Sequence, residues 1–495
     1  MPLTLTQLRL GSCLAKAAQP SPIKGYCVHT SWLKRTSMSD SVKQVCLRGI
    51  CDGTAAGAVW RPPPGKRGAF LLGRLVECGG SKLRVRRLGG DRAGEIRLTR
   101  FLRNDSVTPE EMLGEAAAGT AERCVGRHVL ALQDTTVLRS AGGGGEYLHA
   151  VLAVDAEEGA ILGLIDGQFL ERSSGRRGQR RQVGIEDKES FRWLEGADQA
   201  ASVCAGAACV TVIADRESDI FEAFALRPPE AGLVVRAAHD RSLADGGALF
   251  AAVDAAPVAG RGELELPAKP GRKRRVAGLE ARFMPVSLAR PKNGQRSGLP
   301  ASVAVHLVDI RESDPPAGEA EVHWRLLTTY PVTCPAEAWA VADLYRRRWA
   351  IEQLFRTLKT KGFDIEDLRI EEAAPRQRLV TATLIAAVRI QQLVHARDGG
   401  PGPLRPWSDA FEPEDAALLE ACCAKLEGKT ARQKNPHPKG SLAYAAWVCA
   451  RLGGWTGYYG KPGPIVMLEG WLQFQAMKRG VNLLTNHLEG SDHDV

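Results

Sequence analysis

Beyond Phe101 the chain alternates between short apolar runs and the Gly-, Asp- and Glu-containing turns that separate them. Val129 to Leu132 forms a first apolar run, and the strand it predicts ends at Asp134. Tyr147 to Val154 and Ile161 to Ile165 form two more, joined by short turns. Three strands linked so tightly predict an antiparallel meander. Val210 to Ala214 (VTVIA) is almost wholly apolar, the pattern of a strand buried on both faces, as at the centre of a parallel sheet. Asp215 follows it at the carboxyl end, where α/β sheets place their sites. Lys188 to Ala200 and a segment from Asp219 to Phe224 read as helices, and Gly232 to Arg236 as a further strand. Before them, Thr108, Pro109, Glu110 and Glu111 carry the signals of a helix N-terminus.

Three strands, helix, strand, helix, strand is the order of an α/β, ribonuclease-H-like mixed sheet. From Ala237 to about His323 the period shortens to alternating runs, which predict a β-rich insertion with a basic tip at Lys269 to Arg275. Tyr345 to Lys359 then reads as one long helical segment without Gly or Pro. Leu344, Ile351, Leu354, Phe355 and Leu358 recur at helical spacing, as on a core-facing side. Tyr345, Arg348, Glu352 and Lys359 share an arc of roughly 60° at about 100° per residue. Arg378 to His395 predicts a second amphipathic helix, Lys425 to Lys439 a polar linker, and Gly440 to Asn486 a largely helical end.

The first hundred residues are broken by Pro62-Pro63-Pro64, Gly79-Gly80 and Gly89-Gly90. Low order is expected from 1 to 95. The basic stretch Lys82 to Arg100 reads equally as a DNA-contacting arm or a poorly ordered segment. Met38 is a candidate internal start.

Composition adds a partner class. Of 495 residues, 66 are Lys or Arg and 57 Asp or Glu, a net charge of +9 that suits an acidic polymer such as nucleic acid. The 12 cysteines form no C-x-x-C pair, which predicts reduced thiols in a cytoplasmic protein and no zinc site. No apolar run approaches the roughly 18 residues of a membrane span, so no membrane role is expected.

Two aspartates at strand ends and a glutamate on a helix make a candidate site for a hard cation. Mg²⁺ takes oxygen ligands and keeps several waters, so two or three carboxylates suffice. Each residue also has a structural reading. Asp134 can cap the turn at Thr135-Thr136, Asp215 can cap the next helix, Arg348 and Glu352 can form a surface pair, and Trp324 can be core.

Taken together the motifs resemble a family. Tyr345-x2-Arg348-x3-Glu352-x6-Lys359 matches the tyrosine–arginine–glutamate–lysine (YREK) signature of bacterial insertion-sequence DDE transposases, the Tn-five type of the IS-four family. ALQDTTVL and IADRESDIFEAF resemble its two aspartate motifs, and IEDKESFRWL, LVVRAAH, HWRLLTTYPV and SLAYAAWVCARLGGW resemble further blocks. The resemblance implies that Asp134, Asp215 and Glu352 are catalytic and hold two Mg²⁺ ions, with Mn²⁺ able to substitute. It implies double-stranded DNA partners, both transposon ends and target, and a homodimer in the synaptic complex. Cut-and-paste chemistry would run through a nick, a hairpin, its opening and strand transfer. Trp324 matches a base-stacking tryptophan. Tyr345, Arg348 and Lys359 match phosphate-binding positions, and Arg236 a DNA-contacting arginine. Trp349 is a further candidate DNA contact.

The expected layout is a degenerate DNA-binding region over 1–100, a catalytic core over 101–236 and 326–400, the insertion over 237–325, and helical dimerisation over 401–495. Residues 35–95 lack the helical pattern of the family's end-recognition domain, as a frameshifted 5′ region would produce. Two rivals stand beside the transposase: a catalytically silent DNA-binding remnant that dimerises, and a metal-dependent nuclease that never joins ends.

Overall fold

In a computed structural model, residues 83, 85–141, 144–172, 185–267, 273–292, 298–359, 363–399, 404–458 and 460–491 are described. The expectations for residues 1–82 (Met38 included) and for the insertion tip at 269–272 lie outside these residues, as does the Gly-broken basic stretch over 173–181.

The described chain opens with two helices, α1 (Val85–Gly89) and α2 (Arg92–Leu102). This corrects the expectation of low order through residue 95. Gly90, at φ 78°, turns the chain between the two helices. Asp91 then caps α2, its Oδ1 accepting from Gly94 N at 2.7 Å. Leu88, Leu98 and Phe101 are fully buried, so apolar packing holds this basic stretch in place. Helix α3 (Pro109–Cys124) follows with a complete capping box between Thr108 and Glu111, as its sequence signals predict.

Next come β1 (His128–Ala141), β2 (Gly144–Asp155) and β3 (Ile161–Arg172), then α4 (Arg192–Val203), β4 (Cys209–Ala214), α5 (Phe221–Leu226) and β5 (Ala231–Arg236). After a short α6 (Leu249–Ala255) come β6 (Gly260–Leu266), β7 (Arg275–Ala289), β8 (Ser302–Glu312) and β9 (His323–Thr328). All nine strands of the described residues form one sheet, in the order β3-β2-β1-β4-β5-β9-β8-β7-β6. β1–β4 and β4–β5 are parallel, and the other pairs are antiparallel. This mixed α/β sheet is compatible with a ribonuclease-H-like core. Strands β6 to β9 continue the same sheet through the β5–β9 pairing.

The remaining helices are α7 (Pro335–Arg346), α8 (Trp349–Lys359), α9 (Ala373–Ala396), α10 (Asp415–Leu426), α11 (Leu442–Leu452) and α12 (Pro464–Ser491). The sheet separates two apolar cores. Along β1, Leu130 and Leu132 face the core shared with α2, α3, α7, α8, α9, α11 and α12. Val129 and Ala131 face the other, shared with α4, α5 and α6. Period-two alternation of side chains assigns them so.

Three expectations need correction. β1 does not end at Asp134 but runs seven residues further, to Ala141, paired with β2. Tyr345 to Lys359 is not one helix: α7 ends at Arg346 and α8 begins at Trp349. The chain tightens there through i→i+3 bonds, Arg348 N to Tyr345 O at 3.0 Å and Ile351 N to Arg348 O at 3.1 Å. Helix α9 is buried nearly all round rather than amphipathic. It is also long and apolar enough to cross a membrane, yet 78% of its apolar window is buried inside the protein, as for a core helix.

Helices α11 and α12 meet backbone to backbone. A Cβ on Gly470 would lie 1.6 Å from Cys449 O, and one on Gly453 2.0 Å from Val466 O. No side-chain rotation can relieve either clash. Gly470→Ala is expected to destabilise the protein by about 1–3 kcal/mol, seen as a lower urea midpoint. An unchanged midpoint would contradict this packing.

Candidate active site

The register of β1 on β4 brings two aspartates together. Their last parallel pair is Gln133 with Ala214, so Asp134 and Asp215 come next on neighbouring chain segments. Adjacent strands lie about 4.8 Å apart. By alternation, Asp134 shares a face with Leu132 and Asp215 with Ile213, both in the core where α8 packs. Helix α8 buries Ile351, Leu354, Phe355 and Leu358 there, and Glu352 lies in its first turn.

The three carboxylates meet at one guanidinium. Arg348 Nη1 donates to Asp134 Oδ2 at 2.9 Å. Its Nη2 donates to Glu352 Oε1 and lies 3.6 Å from Asp215 Oδ2. The Arg348 side chain is only 11% exposed, so these interactions are poorly screened by solvent. Burial works against the guanidinium's charge, but Tyr345 and the three carboxylates outweigh it and its pKa is raised. The surface-pair reading of Arg348 and Glu352 therefore does not hold. Nor does the turn-cap reading of Asp134, because the strand continues through it. Asp215 occupies the cap position of the turn Arg216–Ser218, but its side chain makes no capping bond.

Tyr345 Oη donates to Asp215 Oδ1 at 3.1 Å. Burial, and then the Asp215 charge, push its pKa up to about 12, so the phenol stays neutral and donates. Trp324, on β9, tilts against Tyr345 with ring centroids 6.2 Å apart. Arg236 ends β5, donates to His323 O at 3.0 Å, and lies near enough to Tyr345 to favour its ionised form. Asp215, Tyr345 and Trp324 thus follow one another along one side of the site, with Arg236 nearby on β5.

Two expected residues stand apart. Lys359 is two turns beyond Glu352, roughly 10 Å along the helix, and pairs with Glu366 at 2.9 Å. Trp349 is 48% exposed, with the Arg356 guanidinium 5.2 Å from its ring centroid.

The donor set suits a hard divalent cation: three carboxylates already gathered on one positive group. Among the described residues no three acidic, His or Cys side chains stand at metal-binding spacing as placed, and the Arg348 guanidinium is within 4.0 Å of all three carboxylates. Asp134, Asp215 and Glu352 are the residues that would hold such an ion.

Sequence reasoning missed the polar residues behind the strand. Thr135 points to the opposite face, where its Oγ1 meets Arg192 Nε at 3.2 Å and His149 Nδ1 at 3.0 Å. Burial pushes the His149 pKa down to about 3, so its ring is neutral. No periodic signal marks Arg192. Only its place among apolar helix residues hints that it is buried.

Residues 147–389 match the family model described as Transposase DDE domain, and this supports a DDE transposase. The matched span includes Asp215 and Glu352, and Asp134 lies outside it.

Burial, and then the Asp215 and Glu352 charges, raise the Asp134 pKa against the pull of Arg348 and of Thr135 N–H. An acid raised on folding leaves stability intact below its unfolded pKa of about 3.9. That stability is lost as pH climbs towards the folded value and stays lost above it. Asp134→Asn is therefore expected to melt at or above the wild-type temperature at neutral pH in metal-free buffer, with the gain vanishing near about pH 4. A clear drop in melting temperature would contradict this.

Proposed function

We propose that the protein is a DDE transposase that cuts and rejoins DNA by divalent-cation-dependent phosphoryl transfer. The observation that carries the reading is the convergence of Asp134, Asp215 and Glu352 on the Arg348 guanidinium. The matched transposase domain supports it.

In this reading Asp134, Asp215 and Glu352 hold two Mg²⁺ ions, or Mn²⁺ in their place. Bound there, such ions activate the attacking oxygen and stabilise the leaving one. Arg348 leaves the carboxylates and takes a DNA phosphate, which its planar fork can grip by two bonds. Tyr345, held on Asp215, offers its neutral O–H at the site's edge. Arg236 and Lys359 add positive charge along the backbone path, and the exposed Trp349 with Arg356 extends the contact.

The reaction is cut-and-paste. Water attacks a phosphorus at the element's end and the 3′ oxygen leaves as a hydroxyl. That 3′-OH attacks the opposite strand and closes a hairpin, each step forming one P–O bond and breaking one. A second water opens the hairpin, and the 3′-OH then attacks target DNA. A hairpin needs a base turned out of the stack, at a cost of a few kcal/mol. Trp324 is the side chain that receives it, a contact worth about 1–3 kcal/mol.

The same reading divides the chain into the catalytic core over 101–236 and 326–400, the β insertion over 237–325 and a helical end over 401–495. A homodimer through the helices from Gly440 fits the exposed Ile465, Met477 and Val481 on α12. The protein then acts on DNA in the cytoplasm.

The test is a gel assay with Mg²⁺ or Mn²⁺ and the DNA ends that flank the gene. Cleavage, hairpins and joined products are expected, and Asp134→Ala or Glu352→Ala should lower cleavage at least about a hundredfold. Binding without cleavage would instead favour a silent remnant, and cutting without joining a nuclease. Trp324→Ala should slow hairpin closure by roughly 10- to 100-fold while leaving nicking nearly unchanged. Equal losses in both steps would contradict base stacking at Trp324.

A further inference from the structure

Behind the carboxylates, on the opposite face of the sheet, lies a charged side chain that the proposed chemistry does not use. Arg192 opens α4 and is 4% exposed. Its guanidinium makes three separate connections. Nε donates to Thr135 Oγ1 at 3.2 Å, Nη1 to Glu189 O at 2.7 Å, and Nη2 to Glu217 Oε2 at 2.6 Å. Thr135 and Glu217 belong to different elements. Thr135 follows Asp134 on β1, and its N–H donates to Asp134 Oδ1 at 2.8 Å. Glu217 lies two residues after Asp215, in the turn closed by Ser218 Oγ and N on Asp215 O at 2.8 and 3.0 Å. One rigid fork therefore ties the segment carrying Asp134 to the segment carrying Asp215.

The network continues with its proton directions assigned by chemistry. Thr135 Oγ1 accepts from Arg192, so its own hydrogen points to Nδ1 of the neutral His149. His149 Nε2 then carries the hydrogen and faces Gln133 Oε1 at 3.3 Å. Gln133 is the β1 residue before Asp134. The residues on both sides of Asp134 are thus held from behind. Arg172, at the end of β3, buttresses the same cluster through Glu189 at 2.6 Å and Glu217 at 4.0 Å.

A buried guanidinium is a costly way to stabilise a fold, since apolar groups of similar volume often do as well. A planar fork is, however, suited to holding two segments at a fixed distance and angle. We propose that Arg192 is a positioning residue: by joining Thr135 to Glu217 it sets the separation and orientation of Asp134 and Asp215, and so the affinity of the front-face site for divalent cations. This rests on the proposed function, in which those aspartates are cation ligands.

The test uses the full chain and Mn²⁺, with unbound Mn²⁺ counted by its electron paramagnetic resonance signal and melting recorded in parallel. Arg192→Met is expected to weaken Mn²⁺ binding by about 10-fold or more, the usual scale for losing an outer support of a metal ligand. Arg192→Lys should recover melting temperature more than affinity, because one ammonium cannot grip both partners. The control is Arg376→Met, which breaks another buried pair, with Glu146 at 2.6 Å. It should lower melting without moving Mn²⁺ affinity. Glu217→Gln covers the case in which Arg192→Met does not fold. Its side chain is 60% exposed, so melting should hold while Mn²⁺ binding weakens by roughly threefold. Mn²⁺ affinity within about twofold of wild type in the folded variants overturns the positioning role, as does an equal loss in Arg376→Met. Wild-type protein that binds no Mn²⁺ overturns the proposed function, and this assignment with it.

Discussion

Like charges crowded into a half-buried site repel, and three carboxylates would not share one pocket without a cation among them. In this protein the Arg348 guanidinium is that cation, in contact with Asp134 and Glu352 and 3.6 Å from Asp215. Its single charge does not balance three. Burial, and then the Asp215 and Glu352 charges, keep the Asp134 pKa raised although Arg348 and a backbone N–H both pull it down. A site left short of positive charge in a poorly solvated place is poised to take a stronger cation. In the proposed reading the arginine is a removable occupant, held by the carboxylates that would take the metal and able to grip phosphate in its turn.

The rest of the fold serves that meeting point. The β1–β4 register places two acidic positions side by side, and side-chain alternation turns both to one face. The tightened turn between α7 and α8 itself carries Arg348, and it brings Tyr345 from one helix and Glu352 from the next to that face. The antiparallel β5–β9 pairing brings Arg236 and Trp324 to the same edge. On the back face the Arg192 cluster links the same two strand segments, so front and back are mechanically joined through the backbone at Asp134 and Thr135.

Much of this was legible because it follows simple periods. Near-continuous apolarity at Val210–Ala214 marks a central parallel strand, and Asp215 follows from its end. Thr108, Pro109 and Glu111 announced α3 through capping chemistry alone. Other features were hidden for physical reasons. β1 continues past Asp134 because its polar far half pairs with β2, which its own sequence does not reveal. The α7–α8 tightening leaves no Gly or Pro signature, so the sequence fits a single helical wheel equally well. Helix α2 was obscured by Gly89-Gly90, which here separates two helices. Arg192 and His149 were illegible because a buried polar network depends on tertiary partners from β1, β2 and the turn after β4. Lys359 fits the signature spacing, yet lies two turns from Glu352 and pairs with Glu366, so spacing alone did not reveal its surroundings.

The most direct measurement is a Mn²⁺ anomalous-difference map from crystals of the protein. The account predicts density between Asp134, Asp215 and Glu352, with the Arg348 guanidinium turned away from all three. Manganese bound elsewhere, with Arg348 still bridging the carboxylates at saturating metal, would contradict it.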